Sequence, residues 1–166
     1  VSVPLDQARG YQPDLAAIAA AITPATRALL INSPSNPSGA VFSAETMAAL
    51  VTLAEAHHIW LVSDEVYWSL CYDGPHAPAL ARAPSEGRVI VVNSLSKSHA
   101  MTGFRIGWAI GPKPLIDAVA LLAQALYFGI SQFVQDAAAV ALGDATIPPT
   151  VSARFHERRD ALVAAL

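Results

Sequence analysis

The sequence predicts an α/β domain built on a mostly parallel sheet with flanking helices. Three observations carry that expectation. Short apolar runs rich in Val, Ile and Leu alternate with stretches of helical period. The first three runs start about 30 residues apart, a natural length for a strand–helix–strand unit. Each of those runs is followed at its C-terminal end by a compact polar group, and an open α/β sheet binds its ligands beyond that end of its strands.

The elements follow in order. Leu15, Ile18 and Ile22 share one face of a first helix, and Ala28–Ile31 reads as the first buried strand. Met47, Leu50, Val51 and Ala54 define a second helix, with Ser43 placed as its N-cap. Ile59–Val62 is the second strand and Val89–Val92 the third. Pro75, Pro78 and Pro84 interrupt the connection between them, so a partly irregular crossover is expected there. Ile106–Ile110 is a fourth strand, with Gly103, Gly107 and Gly111 distributed along it. Leu115, Val119, Leu122 and Leu126 form a third helical stripe. A further helix is expected from near Ser131 to near Gly143, and a last one after Pro148-Pro149, running to Leu166. Leu166 falls in mid-pattern with no Gly or Asn cap, and no domain start precedes the first strand, so both ends read as cut.

Composition narrows the function. A chain of 166 residues fits one domain or part of one. At 54% hydrophobic and 14% charged it is not a disordered tail. A net charge of -3 with ten Lys plus Arg leaves no electrostatic footprint for nucleic acid. No apolar run approaches the ~20 residues of a membrane span, so no membrane partner is expected. Val1–Gly10 lacks the basic start and apolar stretch of a signal peptide. The lone Cys71 excludes an internal disulfide and suits a reducing, cytoplasmic compartment. His57, His58, His76 and His156 have no metal-ligand spacing among themselves or with Cys71, so no metal is expected.

The three polar groups are Asn32 to Gly39, Ser63 to Tyr67 and Asn93 to His99, and they converge on one crevice. Any one of them alone is an ordinary solvated loop; it is the residue types together that suggest chemistry. There are two lysines in the chain, and Lys97 is the one in this crevice. A lysine there can form a Schiff base with an aldehyde. An aspartate near a pyridine nitrogen keeps it protonated, which makes the ring an electron sink. Tyrosine and asparagine can hydrogen-bond a phenolate oxygen on such a ring. Serine hydroxyls and an arginine can hold a phosphate, the arginine in bidentate fashion. Asp64, Tyr67, Asn36, Ser94, Ser96 and Arg105 supply those groups, and the set describes a site for pyridoxal 5'-phosphate.

The motifs Asn36-Pro37-Ser38-Gly39, Asp64-Glu65-Val66-Tyr67 and Ser94-Leu95-Ser96-Lys97, followed by Gly103-Phe104-Arg105-Ile106-Gly107-Trp108, resemble the class I/II aminotransferases of fold type I. The resemblance covers nearly the whole chain in the family's order and spacing. Ser38 stands where threonine is common in the turn. It implies that Lys97 holds pyridoxal phosphate as an internal aldimine and acts as the catalytic base. Asp64 would partner the pyridine nitrogen, Tyr67 and Asn36 would bond the ring's 3-hydroxyl oxygen, and Ser94 and Arg105 would bind the phosphate with Ser96 assisting. The implied reaction is transamination between an amino acid and a 2-oxo acid, and the implied assembly is a homodimer, with the Gly129–Gln132 segment facing the neighbour. It also implies that residues 1–166 are the central part of the large cofactor-binding domain, without its N-terminal segment and C-terminal small domain. Residues from about 150 onward would start the helix leading to that small domain. The stretches Ser96 to Gly103, Leu126 to Gly129 and Gln132 to Ala138 are similar to arginine–pyruvate transaminases, which leans the substrates toward arginine and pyruvate. Aromatic, aspartate and other donors stay open.

Competing readings are weaker. Ser94-Leu95-Ser96-Lys97 also satisfies the Ser-x-x-Lys pattern of penicillin-binding enzymes, but neither lysine is followed by Thr-Gly. The glycines at 103, 107 and 111 have the wrong spacing for a dinucleotide loop. Glu65 reads as structural, His99 as a weak candidate for a base, and Trp68, Tyr72 and Phe128 as packing or pocket wall. Carbon–sulfur lyase, cyclase or decarboxylase chemistry uses the same cofactor residues. A chain lacking the phosphate loop and the substrate-carboxylate arginine could also be inactive by itself.

Overall fold

In a computed structural model, which describes residues 1–84 and 87–166, four strands form one sheet in the order β1-β2-β3-β4. They are β1 (Ala28–Asn32), β2 (Trp60–Asp64), β3 (Val89–Ser94) and β4 (Gly107–Ile110). The first three are parallel, and β4 runs antiparallel to β3. Among the described residues six α-helices accompany them: α1 (Leu15–Ala21), α2 (Ala44–Ala56), α3 (Leu95–Ser98), α4 (Lys113–Tyr127), α5 (Gln132–Gly143) and α6 (Ile147–Ala165). The architecture is the expected α/β sheet with flanking helices.

Local sequence accounts for the boundaries. The Ser43 hydroxyl accepts from the Thr46 amide and caps α2, as its position predicts. The Asp14 carboxylate does the same for α1, accepting from Ala16 and Ala17. Among the described residues the β2–β3 connection contains only a short 3-10 turn, Ala79–Arg82, in keeping with its prolines; the Pro84 end of that connection borders residues outside the described ones. Two expectations need correction. The last helix starts at Ile147, not after the proline pair. Pro148 and Pro149 sit in its first turn, where the N–H groups they lack have no intrahelical partner anyway. The fourth strand also begins one residue late, and Gly103 lies in a 3-10 turn (Thr102–Phe104) before it while Gly111 lies after it.

The core sits on one side of the sheet. Met47, Leu50, Val51 and Ala54 of α2 pack on Ile31, Leu61, Val89 and Val91, with Ile18, Phe42 and Ala79 closing the ends. Side chains alternate along a strand, so Leu61 and Ser63 of β2 share the buried face while Val62 and Asp64 share the other. That other face is less covered: Leu30 of β1 is 71% exposed. A second, smaller cluster joins Leu95 to Ala138, Ala141, Met101, Ile106, Trp108 and Ile147, and so seats α3 against α5 and the start of α6. α4 contains no buried residue, and Leu121, Leu122 and Leu126 stand exposed along it. Phe128, expected to pack or to line a pocket, is 95% exposed.

Candidate active site

The carboxyl ends of β1, β2 and β3 lie side by side, because the parallel register pairs Asn32 with Asp64 and Asp64 with Val92. Each strand hands its chain directly to one of the polar groups. After β1 the backbone turns through Ser33 and Pro34 to Asn36, whose amide N–H donates to Asn32 Oδ1 at 2.8 Å. Asn32 Nδ2 donates across to the Asp64 carbonyl at 3.1 Å. Asn32 therefore bolts the first loop to the end of β2, a function the sequence reading missed. A signal existed: an Asn closing an apolar strand carries a donor and an acceptor to a point where backbone groups leave the ladder.

Asp64 ends β2, half-buried on the face opposite the core, and its Oδ1 accepts from the Val66 amide at 3.1 Å. Glu65, next in sequence, points the other way and is buried. Its Oε1 accepts from the Ser63 hydroxyl at 3.0 Å and from the Ala79 amide at 2.9 Å, and its Oε2 meets His76 Nε2 at 2.8 Å. The structural role expected for Glu65 is visible in those bonds: it closes the base of the 65–79 loop. Tyr67 stands on that loop, and Asn36 Nδ2 donates to its hydroxyl at 3.3 Å.

β3 runs straight into α3, with Ser94 at the junction. The Ser94 hydroxyl accepts from the Ser96 amide at 3.2 Å, capping a single turn that carries Lys97. Lys97 Nζ lies 5.8 Å from the centre of the Tyr67 ring. The amine, the phenol and the Asn36 amide thus form one cluster, drawn from the segments that follow β1, β2 and β3, with Asp64 ending β2 three residues before Tyr67. Arg105 reaches this end of the sheet by another route. Gly107 pairs with Ser94 across β3 and β4, so Arg105, two residues earlier, lies at the same edge of the sheet. Its backbone is left-handed, with φ at 50°, and Nη1 donates to the Thr102 carbonyl at 2.9 Å.

His99 is turned elsewhere. Its Nδ1 is 2.8 Å from the Ser98 hydroxyl, and burial holds the imidazole below its ordinary range. A cavity of about 510 Å³ adjoins Tyr67 and is also lined by Ser35, Gly39, Cys71, Tyr72 and Arg159. Burial raises the Cys71 thiol above its ordinary value. Among the described residues no group of His, Cys, Asp or Glu could hold a metal ion. No helix of the described residues is long and apolar enough to cross a membrane.

Lys97, Asp64, Tyr67 and Ser94 all stand at or just beyond the carboxyl ends of the parallel strands. The chain belongs to the aminotransferase class I and II family, whose description it matches over residues 1–166. Members of that family depend on pyridoxal phosphate. Among its relatives, the arginine–pyruvate transaminase AruH of Pseudomonas aeruginosa is 42% identical over 168 residues, covering 100% of this chain and 42% of that protein. An aspartate/prephenate aminotransferase of Thermus thermophilus is 48% identical over 111 residues, covering 67% of this chain and 28% of that protein. The solved aspartate aminotransferase of Thermus thermophilus with maleate superposes with a TM-score of 0.93 at 38% identity, over 99% of this chain and 44% of that one. N-succinyldiaminopimelate aminotransferase of Mycobacterium tuberculosis gives 0.89 at 38% identity, over 98% and 42%. These neighbours share the fold type I architecture. The chain spans less than half the length of the relatives it matches over its full extent.

Proposed function

We propose that this chain carries the cofactor-holding centre of a pyridoxal-phosphate-dependent transaminase that moves an amino group between an amino acid and a 2-oxo acid. The observation that carries the reading is the Lys97–Tyr67–Asn36 cluster beyond the strand ends, with Asp64 at the end of β2. The donor set fits the cofactor group by group: an amine, a carboxylate, a phenol with an amide, two hydroxyls and a guanidinium.

When bound, pyridoxal phosphate supplies a carbonyl that condenses with amines and a ring that accepts the electron pair left by α-proton removal. Lys97 would hold the cofactor through Nζ, and its amine, when free, would serve as the base that takes up and gives back the substrate α-proton. Asp64 would hold a proton on the pyridine nitrogen. Tyr67 and Asn36 would orient the ring through its 3-oxygen. Ser94, Ser96 and Arg105 would bind the phosphate.

We place residues 1–166 as the central part of a large domain, with α6 starting the helix that leads to a small domain. The 42–44% coverage of full-length relatives supports that reading, and it makes weak or absent turnover by the 166-residue chain alone an expected result. Arginine and pyruvate are the proposed substrates, supported by a match to AruH that runs through the whole chain. A cytoplasmic homodimer is the proposed state; the single cysteine and the exposed apolar residues of α4 support it.

The deciding experiment is incubation with pyridoxal phosphate, borohydride reduction and peptide mapping. The expected label is on Lys97. Label on Lys113 instead, or the same label and visible absorbance in Lys97→Ala, would overturn the assignment.

A further inference from the structure

Tyr67 is carried by a loop that leaves β2 at Glu65 and returns at Ala79, and that loop is fastened at two places. Its base is closed by the Glu65 carboxylate. Its outer part is fastened by Tyr72, whose ring stacks on His156 of α6, with centroids 4.7 Å apart and planes inclined by 27°. The Arg159 guanidinium lies 4.7 Å from the centre of the same ring. His156 and Arg159 are three residues apart on one helix, so they face the same side and both rest against the Tyr72 ring. Asp160 steadies both: its Oδ1 accepts from Arg159 at 2.7 Å and its Oδ2 lies 3.5 Å from His156 Nε2. Between base and clasp the backbone is tight, since Trp68 donates to the Glu65 carbonyl and Leu70 to the Tyr67 carbonyl. α6 also reaches the other side of the site. Its first residue, Ile147, packs on the Leu95 cluster that seats the Lys97 turn, and α6 and α3 are in contact.

We propose that Tyr72 is a positioning residue: clasped by His156 and Arg159, it fixes the Tyr67 loop to the same helix that supports Lys97, and so sets the distance between the phenol and the amine. The consequence for the cofactor rests on the function proposed above. The fastening of the loop does not, because it involves only side chains of this chain. Tyr72 touches neither Lys97 nor Asp64 and acts through Tyr67.

Amide hydrogen exchange on the cofactor-free chain, followed by equilibrium titration with pyridoxal phosphate, tests the proposal. Tyr72→Leu is expected to speed exchange at residues 66–73 by tenfold or more, with β1, β2 and β3 unchanged, and to weaken cofactor binding several-fold. Tyr72→Phe keeps the ring and restores both. His156→Ala combined with Arg159→Gln removes the clasp from a more solvent-exposed helix, and it reproduces the loosened loop even where Tyr72→Leu does not fold. Unchanged exchange at 66–73 in the helix variant overturns the proposal, as does an increase spread over the whole sheet. Failure of the wild-type chain to bind pyridoxal phosphate, with the loop loosening as expected, sinks the proposed function and leaves the clasp standing.

Discussion

Asn36 and Tyr67, 31 residues apart in sequence, meet side chain to side chain at 3.3 Å. The bond joins the loop after β1 to the loop after β2 and leaves the phenol oxygen with one donor already in place. In the proposed site that oxygen and that amide address the same cofactor atom. A single hydrogen bond contributes about 0.5–1.5 kcal/mol. Tyr67→Phe and Asn36→Ala are therefore each expected to weaken pyridoxal phosphate binding by roughly three- to tenfold. The double variant should lose less than the sum, as a fluorescence titration of the four proteins would register.

Asn32→Ala breaks two links at once, the one to the Asn36 amide and the one to the Asp64 carbonyl. A drop of about 1–3 kcal/mol in unfolding free energy is expected from the partners left unsatisfied. Asn32→Asp should keep the first link and lose the second. Urea denaturation of both variants separates the two contributions.

Glu65 is buried and receives three donors, so its removal is costly although it is proposed to touch no ligand. Glu65→Ala strands the Ser63 hydroxyl, the Ala79 amide and the His76 ring, with an expected loss of about 3–5 kcal/mol. Glu65→Gln keeps an acceptor and should lose clearly less. A calorimetric scan in which both variants melt with the wild type would contradict this account of the loop base.

Gly107 opens β4 against the end of β3, and a Cβ there would stand 2.7 Å from the Asn93 carbonyl oxygen. Backbone cannot step aside as a flexible side chain can. Gly107→Ala should therefore shift the Ser94–Gly107 pairing and cost about 1–3 kcal/mol. Gly103 has no atom near the corresponding position, so Gly103→Ala is the control and should leave the melting temperature almost unchanged.

Two titrations have a definite sign. Burial lowers the His99 pKa in the folded chain, so the unfolded chain binds the proton first as pH falls. His99 should thus reduce stability progressively from its ordinary pKa of about 6.5 downward through its folded value, and His99→Gln should flatten that part of the stability–pH curve. Burial raises the Cys71 pKa, which keeps the thiol protonated at neutral pH. Alkylation of Cys71 by iodoacetamide should be slower than that of free cysteine at pH 7, with a rate midpoint shifted to higher pH.

Much of this was legible from the sequence because it is written in local pattern. The Val- and Ile-rich runs marked all four strands to within two residues at either end, and Ser43 marked the start of α2. The direction of β4 was not legible, since an apolar run has the same texture in either orientation. The clue lay in the connection: between Ser94 and Gly107 there is no helix long enough to carry the chain back across the sheet. Lys97, Asp64, Tyr67 and Asn36 could be named because each follows a strand. The links made by Asn32, and the partners of Tyr72, are harder to read, because they depend on strand register and on a helix some eighty residues further on.

Asn32, Asp64 and Ser94 end β1, β2 and β3, and their spacing is inherited from the sheet. Neighbouring strands sit about 4.8 Å apart whatever side chains fill the core. Core residues can therefore drift in size while these groups stay at fixed intervals. Displacement along a strand is different in kind. A slip of β2 by one residue would turn Asp64 into the core and Glu65 out to the crevice. The site thus tolerates gradual change and fails only in whole steps.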